Sequence, residues 1–134
     1  MKTKTLVILA LFCAGFMACK KTSPSENTTH QKILGKWTFQ QVVVNDFISG
    51  TSTVTTYPGG PSDYFDFRSD GKVYIMVWGA NDTASYSIIN ESQLKMDSDT
   101  SDIIKLTGVE LQLYNKDLLG PGADYSESTI YMHK

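Results

Sequence analysis

Apolar and polar residues alternate in short runs from Ile33 to the C-terminus, and turn-forming residues separate the runs. In Tyr64–Arg68, for example, Phe65 and Phe67 fall on one face of an extended chain. A period of two residues is typical of β-strands with one buried face, and no stretch of useful length in this region has a helical period. The pattern therefore predicts an all-β domain.

The alternation also predicts which face of each strand is buried. In the first run Trp37, Phe39 and Val43 are expected to share a face, and Asn45-Asp46 is expected to begin a turn. The Ser69-Asp70-Gly71 sequence predicts a hairpin turn that leads into a strand with apolar residues on both faces. The two faces of that strand are Val73, Ile75 and Val77, and Tyr74, Met76 and Trp78.

About eight or nine short strands fit into the roughly 100 residues of the domain, and most are joined by short turns. Two Gly-Pro stretches, Tyr57–Asp63 and Leu118–Asp124, are predicted loops. An antiparallel sheet of this size closes on itself because closure removes exposed edges. We therefore expect a small antiparallel up-and-down β-barrel of about eight strands, with a β-sandwich as the alternative.

The N-terminal segment has the composition of an export signal. Met1–Lys4 is basic, and Thr5–Met17 is apolar but too short to span a bilayer as a permanent helix. Phe16-Met17-Ala18-Cys19 resembles the lipobox of bacterial lipoproteins, in which a cysteine becomes the lipidated first residue. The alternative is an ordinary secretory signal with an incidental cysteine.

The chain is accordingly divided into three parts. We expect a lipoprotein signal peptide over residues 1–18, a lipidated Cys19 with a flexible polar tether over residues 19–30, and the barrel domain over residues 31–134. Acyl chains such as palmitate on Cys19 would then anchor the domain to a membrane.

Charge and cysteine content narrow the possible partners. Loss of Lys2 and Lys4 with the signal leaves 10 basic and 14 acidic residues, a net charge of −4. This balance argues against nucleic acid or an anionic membrane surface as a main partner. Because Cys13 lies in the signal and Cys19 carries the predicted lipid, the domain depends on apolar burial rather than on a disulfide.

No arrangement of residues predicts catalysis or a metal site. His30 lies in the tether and His133 beside the C-terminus, so neither is placed to serve as the base of a catalytic triad. The acidic run Asp97–Asp102 has an aspartate where a calcium-binding EF-hand loop needs glycine, which favours a solvated connection between strands. We expect a protein that is not an enzyme and that uses no cofactor.

Gly35-Lys36-Trp37 resembles the G-x-W element of the lipocalins and the wider calycin group. The chain as a whole resembles the lipocalin-like domain of lipoproteins from Bacteroidetes-type bacteria, over about residues 33–132. Lipocalins carry a late basic side chain that stacks on this tryptophan, whereas Arg68, the only arginine, lies in an early hairpin. The other elements in the family's order are Phe65-x-Phe67-x-x-Asp70-Gly71-Lys72, Tyr86-Ser87-Ile88, Ile103-x-x-Leu106-Thr107 and Leu111-x-Leu113-Tyr114.

Two hypotheses for function follow. In the first, the barrel is a non-catalytic envelope module that binds a small hydrophobic or amphipathic ligand, and Trp37 closes one end. In the second, the interior is fully packed and the surface docks an envelope protein through Tyr74 and Trp78. The ligand-binding candidates are Trp37, Phe39, Tyr57, Phe65, Phe67, Ile75 and Tyr86.

Two further expectations concern modification and location. Asp82-Thr83-Ala84 resembles a short sequence at which some Bacteroidetes attach O-glycans, which makes Thr83 a glycosylation candidate. Lys20-Lys21 differs from the acidic surface-export signals of this bacterial group. The lipid anchor is therefore expected to hold the domain at the outer membrane facing the periplasm, with the cell surface as the alternative.

Overall fold

The computed structural model describes residues 28–134, so the expected signal peptide, Cys19 and most of the expected tether lie outside the described residues. None of the helical structure in residues 28–134 has the length and apolar character needed to cross a membrane. The elements are α1 (Thr29–Ile33), β1 (Gly35–Ile48), β2 (Thr51–Pro58), β3 (Tyr64–Phe67), β4 (Lys72–Val77), β5 (Ala80–Asn90), β6 (Gln93–Met96), β7 (Asp99–Leu106), β8 (Glu110–Leu118) and β9 (Tyr125–His133).

Eight of these strands form a closed antiparallel barrel. Starting from β1, successive neighbours are β3, β4, β5, β6, β7, β8 and β9, and β9 pairs again with β1. The remaining strand, β2, is at the end of the strand order and pairs with β1. The predicted all-β barrel of about eight strands is therefore confirmed, and the sandwich alternative is wrong.

Strand β1 is long enough to have two successive partners along one edge. Gly35–Thr38 pairs with β3, and Gln41–Ile48 pairs with β2, while the opposite edge pairs with β9. The pairing of β7 with β8 stops at Tyr114. A four-stranded sheet therefore continues past the barrel wall. It consists of β2 and of the parts of β1, β8 and β9 that lie beyond this point, and we call it the extension.

The predicted turn at Asn45-Asp46 is wrong because β1 continues through both residues to Ile48. The two residues are paired with β2 on one side and with β9 on the other, so the sheet satisfies their backbone groups. The turn lies instead at Ser49-Gly50, where φ is +51° and +79°. Two positive φ values in a two-residue connection are typical of a type I′ hairpin turn.

A β-bulge at Gln40 decides which residues of β1 face inward. Phe39 pairs with Met132, and Gln41 pairs with the adjacent Tyr131, so one residue of β1 is extra. An extra residue reverses the alternation beyond it. Val42 consequently packs against the core, and the expectation that Val43 shares the face of Trp37 and Phe39 is wrong.

Helix α1 covers one end of the barrel. Thr28 and Gln31 form a capping box at its N-terminus, and Ile33 at its C-terminus is completely buried. The Thr29 hydroxyl donates to the Glu91 carboxylate at 2.7 Å, which ties the helix to the β5–β6 turn. Thr29 and His30 therefore belong to the folded domain rather than to the tether.

Candidate functional site

The end of the barrel beneath α1 is filled by side chains. Trp37 has 0% of its surface exposed, and its Nε1 donates to the Ile33 carbonyl at 2.6 Å. Lys134 Nζ lies 4.4 Å from the centroid of the Trp37 ring and donates to the Leu34 carbonyl at 2.8 Å. This end, which we call the closed end, therefore has an indole fixed at its Nε1 and covered on its face.

The basic residue on Trp37 is the last residue of the chain. From the sequence, only the single arginine, which lies in an early hairpin, was considered for this role, and the late lysines were not weighed. Gly35, with a φ of +104°, turns the chain between α1 and β1 so that Lys134 reaches both the ring and the Leu34 carbonyl. A cation over an indole face is a favourable contact, and Lys134 therefore helps to seal the closed end.

The opposite end of the barrel contains an apolar cavity of about 250 Å³. We call this the open end. Strands β1, β3, β4 and β9 and the β4–β5 turn all contribute to its wall. The lining residues are Phe39, Val42, Phe65, Ile75, Val77, Trp78 and Ile130.

Trp78 forms the exposed edge of this cavity and is held by polar contacts on both its backbone and its ring. It is 60% exposed and has a φ of +50°, which is uncommon for a residue with a large side chain. Its Nε1 donates to the Pro58 carbonyl at 2.9 Å. Its ring packs edge-on against Phe39 and Tyr57, with centroids 5.7 and 6.2 Å away. The indole thus lies across the mouth.

The alternation predicted for β4 ends one residue before Trp78. The strand stops at Val77, and the positive φ of Trp78 turns its side chain toward Phe39 on the inner side. The expectation that Trp78 shares a face with Tyr74 is therefore wrong. Tyr74 itself is exposed on the outer wall, with the Arg68 guanidinium 5.3 Å from its ring centroid.

Asp63 accepts three hydrogen bonds beside the mouth of the cavity and serves as its brace. It is 4% exposed, and its Oδ2 accepts from the Gly60 amide at 2.9 Å and from the Trp78 amide at 3.1 Å. Its backbone carbonyl accepts from the Phe39 amide at 3.0 Å. One buried residue therefore connects the loop after β2 and the turn that carries Trp78 through its carboxylate, and the cavity wall through its backbone carbonyl.

Gly59 allows the same loop to lie directly on the cavity wall. A Cβ at this position would be 2.3 Å from the Phe39 carbonyl oxygen, far inside van der Waals contact. The Gly59 amide donates to the Gln40 carbonyl at 2.7 Å, which continues the β1–β2 pairing beyond Pro58. A larger residue here would displace either the loop or Phe39.

A polar surface continues the inner face of the barrel beyond the cavity. Val42 and Ile130 line the cavity and pair with each other, and the next pairs on that face are Val44 with Ser128 and Asp46 with Ser126. The Ser126 hydroxyl donates to the Asp46 carboxylate at 2.6 Å. We call this surface the polar shelf; its polar members are Asp46, Thr53, Thr55, Ser126 and Ser128.

The structure divides the predicted ligand-binding residues between the two ends. Phe39, Phe65 and Ile75 line the cavity. Tyr57 is exposed beside Trp78 rather than in the cavity wall. The other three predicted residues, which belong to the packed core at the closed end and do not line the cavity, are Trp37, Phe67 and Tyr86.

Tyr86 is held in the packed core by a hydrogen bond and an aromatic contact. Its hydroxyl donates to the Arg68 carbonyl at 2.7 Å, and its ring packs edge-on against Phe67 at 5.1 Å. Burial raises the pKa of the Tyr86 phenol. The group is therefore a neutral donor at physiological pH and completes the wall of the closed end.

Four residues of the open end were not predicted as site residues. Val42 was missed because of the bulge, and Val77 and Ile130 because aliphatic residues in strands look alike wherever they face. Asp63 was assigned to a loop, and nothing in its local sequence indicates a buried brace. Each of these assignments depends on contacts between residues distant in sequence.

The acidic run at Asp97–Asp102 forms the β6–β7 hairpin. Asp97 has a φ of +48° and its Oδ1 accepts from the Ser85 amide at 2.9 Å, which fixes the turn. In residues 28–134, no group of three His, Cys, Asp or Glu side chains could hold a metal ion. A polar groove of about 340 Å³ lies beside the hairpin, lined by Ser98, Asp99, Thr100, Asn115, Lys116 and Asp117.

Charged groups on the outer face of the extension form a small network. Glu127 accepts hydrogen bonds from Lys116 Nζ and from the Tyr114 hydroxyl, both at 2.9 Å. The bond from Lys116, and then that from Tyr114, lowers the pKa of Glu127. The same bonds raise the pKa of Lys116 and of Tyr114. The network holds β8 against β9 outside the barrel.

Fold and site together define a small closed antiparallel barrel with an apolar pocket at one end. No protein-family model matches the chain, and no curated protein matches it. A fold of this kind hosts many functions, so the function is argued from the open end itself.

Proposed function

We propose that the chain is a lipid-anchored, lipocalin-like envelope protein that binds a small amphipathic molecule without catalysis. The observation that supports this proposal is the apolar cavity of about 250 Å³ at the open end. At the closed end, by contrast, Trp37 is completely buried beneath α1 and covered by Lys134. A ligand would therefore enter past Trp78 and stop above the packed core.

The cavity volume limits the apolar part of the ligand. A cavity of about 150 Å³ in another protein binds benzene, so 250 Å³ holds one ring or a short branched or straight chain. Its wall contains no charged side chain, and the exposed Trp78 indole offers a flat apolar surface. Larger hydrophobic molecules would leave part of their length outside.

The polar shelf supports an amphipathic ligand rather than a purely apolar one. Its hydroxyl groups can donate or accept, and Asp46 adds a carboxylate. None of the ion pairs found in residues 28–134 involves Asp46. The head group of the ligand is accordingly a hydroxyl or an amine rather than a carboxylate, because a second carboxylate would be repelled.

Filling the cavity tests the proposal. Val77→Phe places a ring in the cavity at the open end. Val73 lies on the same face of β4, four residues earlier, and Val73→Phe forces a ring into the packed closed end. We expect the first variant to fold with a loss of less than about 1 kcal/mol and the second to lose about 1–3 kcal/mol from overpacking. Urea unfolding of both variants measures the difference.

The same variants are used for binding. Medium-chain alcohols, amines and fatty acids are titrated while tryptophan fluorescence is followed in the otherwise unaltered protein, with Trp78→Phe as the control that removes the indole at the mouth. Saturable changes with alcohol and amine that Val77→Phe abolishes support the proposal. Asp46→Asn should remove the preference for amine over fatty acid. Flat titrations with all three classes in the parent background would disprove ligand binding at this end.

Lipid anchoring is a separate part of the proposal and depends on the Ala18-Cys19 sequence. Cys19→Ala should leave the precursor unacylated and without its normal cleavage. Palmitate labelling that survives this change would show that the lipobox interpretation is wrong. The result does not affect the cavity, so the two parts can fail independently.

Docking of an envelope protein on a fully packed barrel is the alternative function. It is less well supported because the interior is not full at the open end. Trp78 and Tyr57 nevertheless form an exposed aromatic pair at the mouth. Pull-down from envelope extracts with Trp78→Ala compared with the unaltered protein tests it; equal recovery of partners would exclude Trp78 as a docking residue.

A further inference from the structure

Strand β2 is the edge of the extension. Its residues pair with β1 on one side, and no other strand in the part of the chain that the structure describes pairs with its second side. The Ser49-Gly50 turn makes Ile48 and Thr51 a hydrogen-bonded pair, so every second residue of β2 bonds to β1 and the others direct their backbone groups outward. The outward residues are Ser52, Val54, Thr56 and Pro58.

Two observed hydrogen bonds agree with this assignment. Gln40 continues the series of alternate β1 residues that bond to β2, and its carbonyl accepts from the Gly59 amide at 2.7 Å. The Pro58 carbonyl points away from β1 and accepts from Trp78 Nε1 at 2.9 Å. Trp78 thus covers one end of the outer edge, and three amides and three carbonyls remain open along Ser52, Val54 and Thr56.

This edge lacks the features that normally prevent pairing. Natural edge strands carry charges, prolines or bulges that discourage another strand from adding. Thr51–Tyr57 contains no charged residue and no proline, and the β1–β2 register is regular throughout. Two other stretches with an open side carry charges: Asp99, Lys116 and Asp117 lie between β7 and β8, and Asp82 lies on the part of β5 that pairs with β4 alone. The uncharged β2 edge is therefore suited to accept a strand.

Residues 52–56 of β2 are chemically symmetric about Val54. Thr53 and Thr55 flank it, and Ser52 and Thr56, both with hydroxyl side chains, follow on either side. An antiparallel pair with a twofold axis at Val54 would place Ser52 opposite Thr56 and Thr53 opposite Thr55. Threonine and serine pairs across antiparallel strands are favourable, and no like charges would meet.

We propose that β2 pairs antiparallel with β2 of a second copy of this chain, with the twofold axis passing between the two Val54 residues. The outward amides and carbonyls of Ser52, Val54 and Thr56 then make six hydrogen bonds across the axis. Val54, which is 65% exposed, gains an apolar partner in its own counterpart. The two extensions become one continuous eight-stranded sheet, and both cavities stay outside the contact.

The chemical symmetry identifies the occupant. A strand from an unrelated protein would need no relation to the order of residues in β2, whereas a second copy needs a sequence that matches itself when reversed. An isologous contact of this kind closes on itself and produces a dimer rather than a filament. The proposal does not depend on ligand binding, because Ser52, Val54 and Thr56 belong neither to the cavity wall nor to the polar shelf.

Sedimentation equilibrium of the protein in the form that its cell produces tests the pairing. We expect a mass that rises with concentration to twice that of one chain. Val54→Lys places two like charges at the axis and should weaken the dimer at least about tenfold. Ile104→Lys is the matched control, since Ile104 is a 54% exposed aliphatic residue on β7, away from the edge. It should leave the dimer intact.

Amide hydrogen exchange gives a second readout that does not require a variant. In the dimer the Ser52, Val54 and Thr56 amides should exchange as slowly as those of Thr53 and Thr55, and on dilution only the first three should become fast. A monomer at all concentrations would overturn the proposal. So would a dimer that survives Val54→Lys, or outward amides that stay fast when the mass is doubled.

Discussion

The two ends of the barrel are built from the same strands but are stabilised in different ways. At the closed end, large apolar side chains fill the volume, and the Trp37 indole is hydrogen-bonded to α1 and covered by Lys134. At the open end a cavity remains, and polar contacts of Asp63 and Trp78 hold its edge in place.

This difference indicates that the closed end contributes most to stability and that the open end is the place for binding. Close packing is stabilising but leaves no room for a ligand, whereas an unfilled apolar volume forgoes contacts that a ligand can restore. The hydrogen bonds of Trp78 to Asp63 and to Pro58 fix the mouth without filling the cavity. We therefore expect substitutions at the closed end to reduce stability and substitutions at the open end to change binding.

The largest expected effect separates the two tryptophans. Trp37→Ala removes a completely buried indole and should destabilise the fold by about 3–5 kcal/mol. Trp78→Ala removes an exposed ring with one hydrogen bond and should cost about 1 kcal/mol or less. Urea unfolding followed by circular dichroism measures both. Similar losses for the two variants would contradict the distinction between the ends.

Removal of the brace at the mouth should have the next largest effect. Asp63→Ala leaves the Gly60 and Trp78 amides without their buried acceptor and should cost about 2–3 kcal/mol. Asp63→Asn keeps one acceptor oxygen and should lose less. Trp78 fluorescence anisotropy should fall in Asp63→Ala before any global unfolding; an unchanged anisotropy would exclude the brace.

A smaller effect is expected for the cation on Trp37. Lys134→Met keeps the aliphatic stem but removes the charge and its hydrogen bonds, and should cost about 0.5–1 kcal/mol. Lys95→Met, at an exposed position of β6, serves as the control. Thermal unfolding of the two variants side by side gives the comparison, and equal midpoints would show that Lys134 contributes nothing to the closed end.

The smallest effect concerns acid stability. Hydrogen bonds from Thr29 lower the pKa of Glu91 at the closed end, and those from Lys116 and Tyr114 lower that of Glu127 on the extension. A folded-state pKa below the unfolded value gives stability that is present above the ordinary carboxyl range and is lost as pH falls through the folded value.

Glu91→Gln and Glu127→Gln should therefore each reduce stability slightly at neutral pH and flatten its fall in acid. Both carboxylates are on the surface, so the changes should be smaller than those above. Unfolding midpoints measured across the acidic range test this. A variant whose acid profile follows that of the parent would show that its carboxylate has no preferential interaction in the fold.

Individual residues show why only part of the candidate site was predictable. Phe65 and Phe67 were placed inward correctly because β3 is short, regular and alternates without interruption. Phe67 was nevertheless assigned to the ligand site, because alternation gives the face of a strand but not the height along the barrel. Val43 was misplaced for another reason: a bulge at Gln40 has no signature in the residues around it.

The amino-acid sequence by itself determined the all-β fold, the approximate number of strands, most of their turns and the importance of Trp37. These features follow from local periodicity and turn chemistry, which involve residues near one another in the chain. Only the tertiary structure decided which end is filled, that Lys134 covers Trp37, that Asp63 supports Trp78 and that β2 leaves an open edge. Those features arise when strands distant in sequence become neighbours, and their register, bulges and unfilled volumes exist only in the closed barrel.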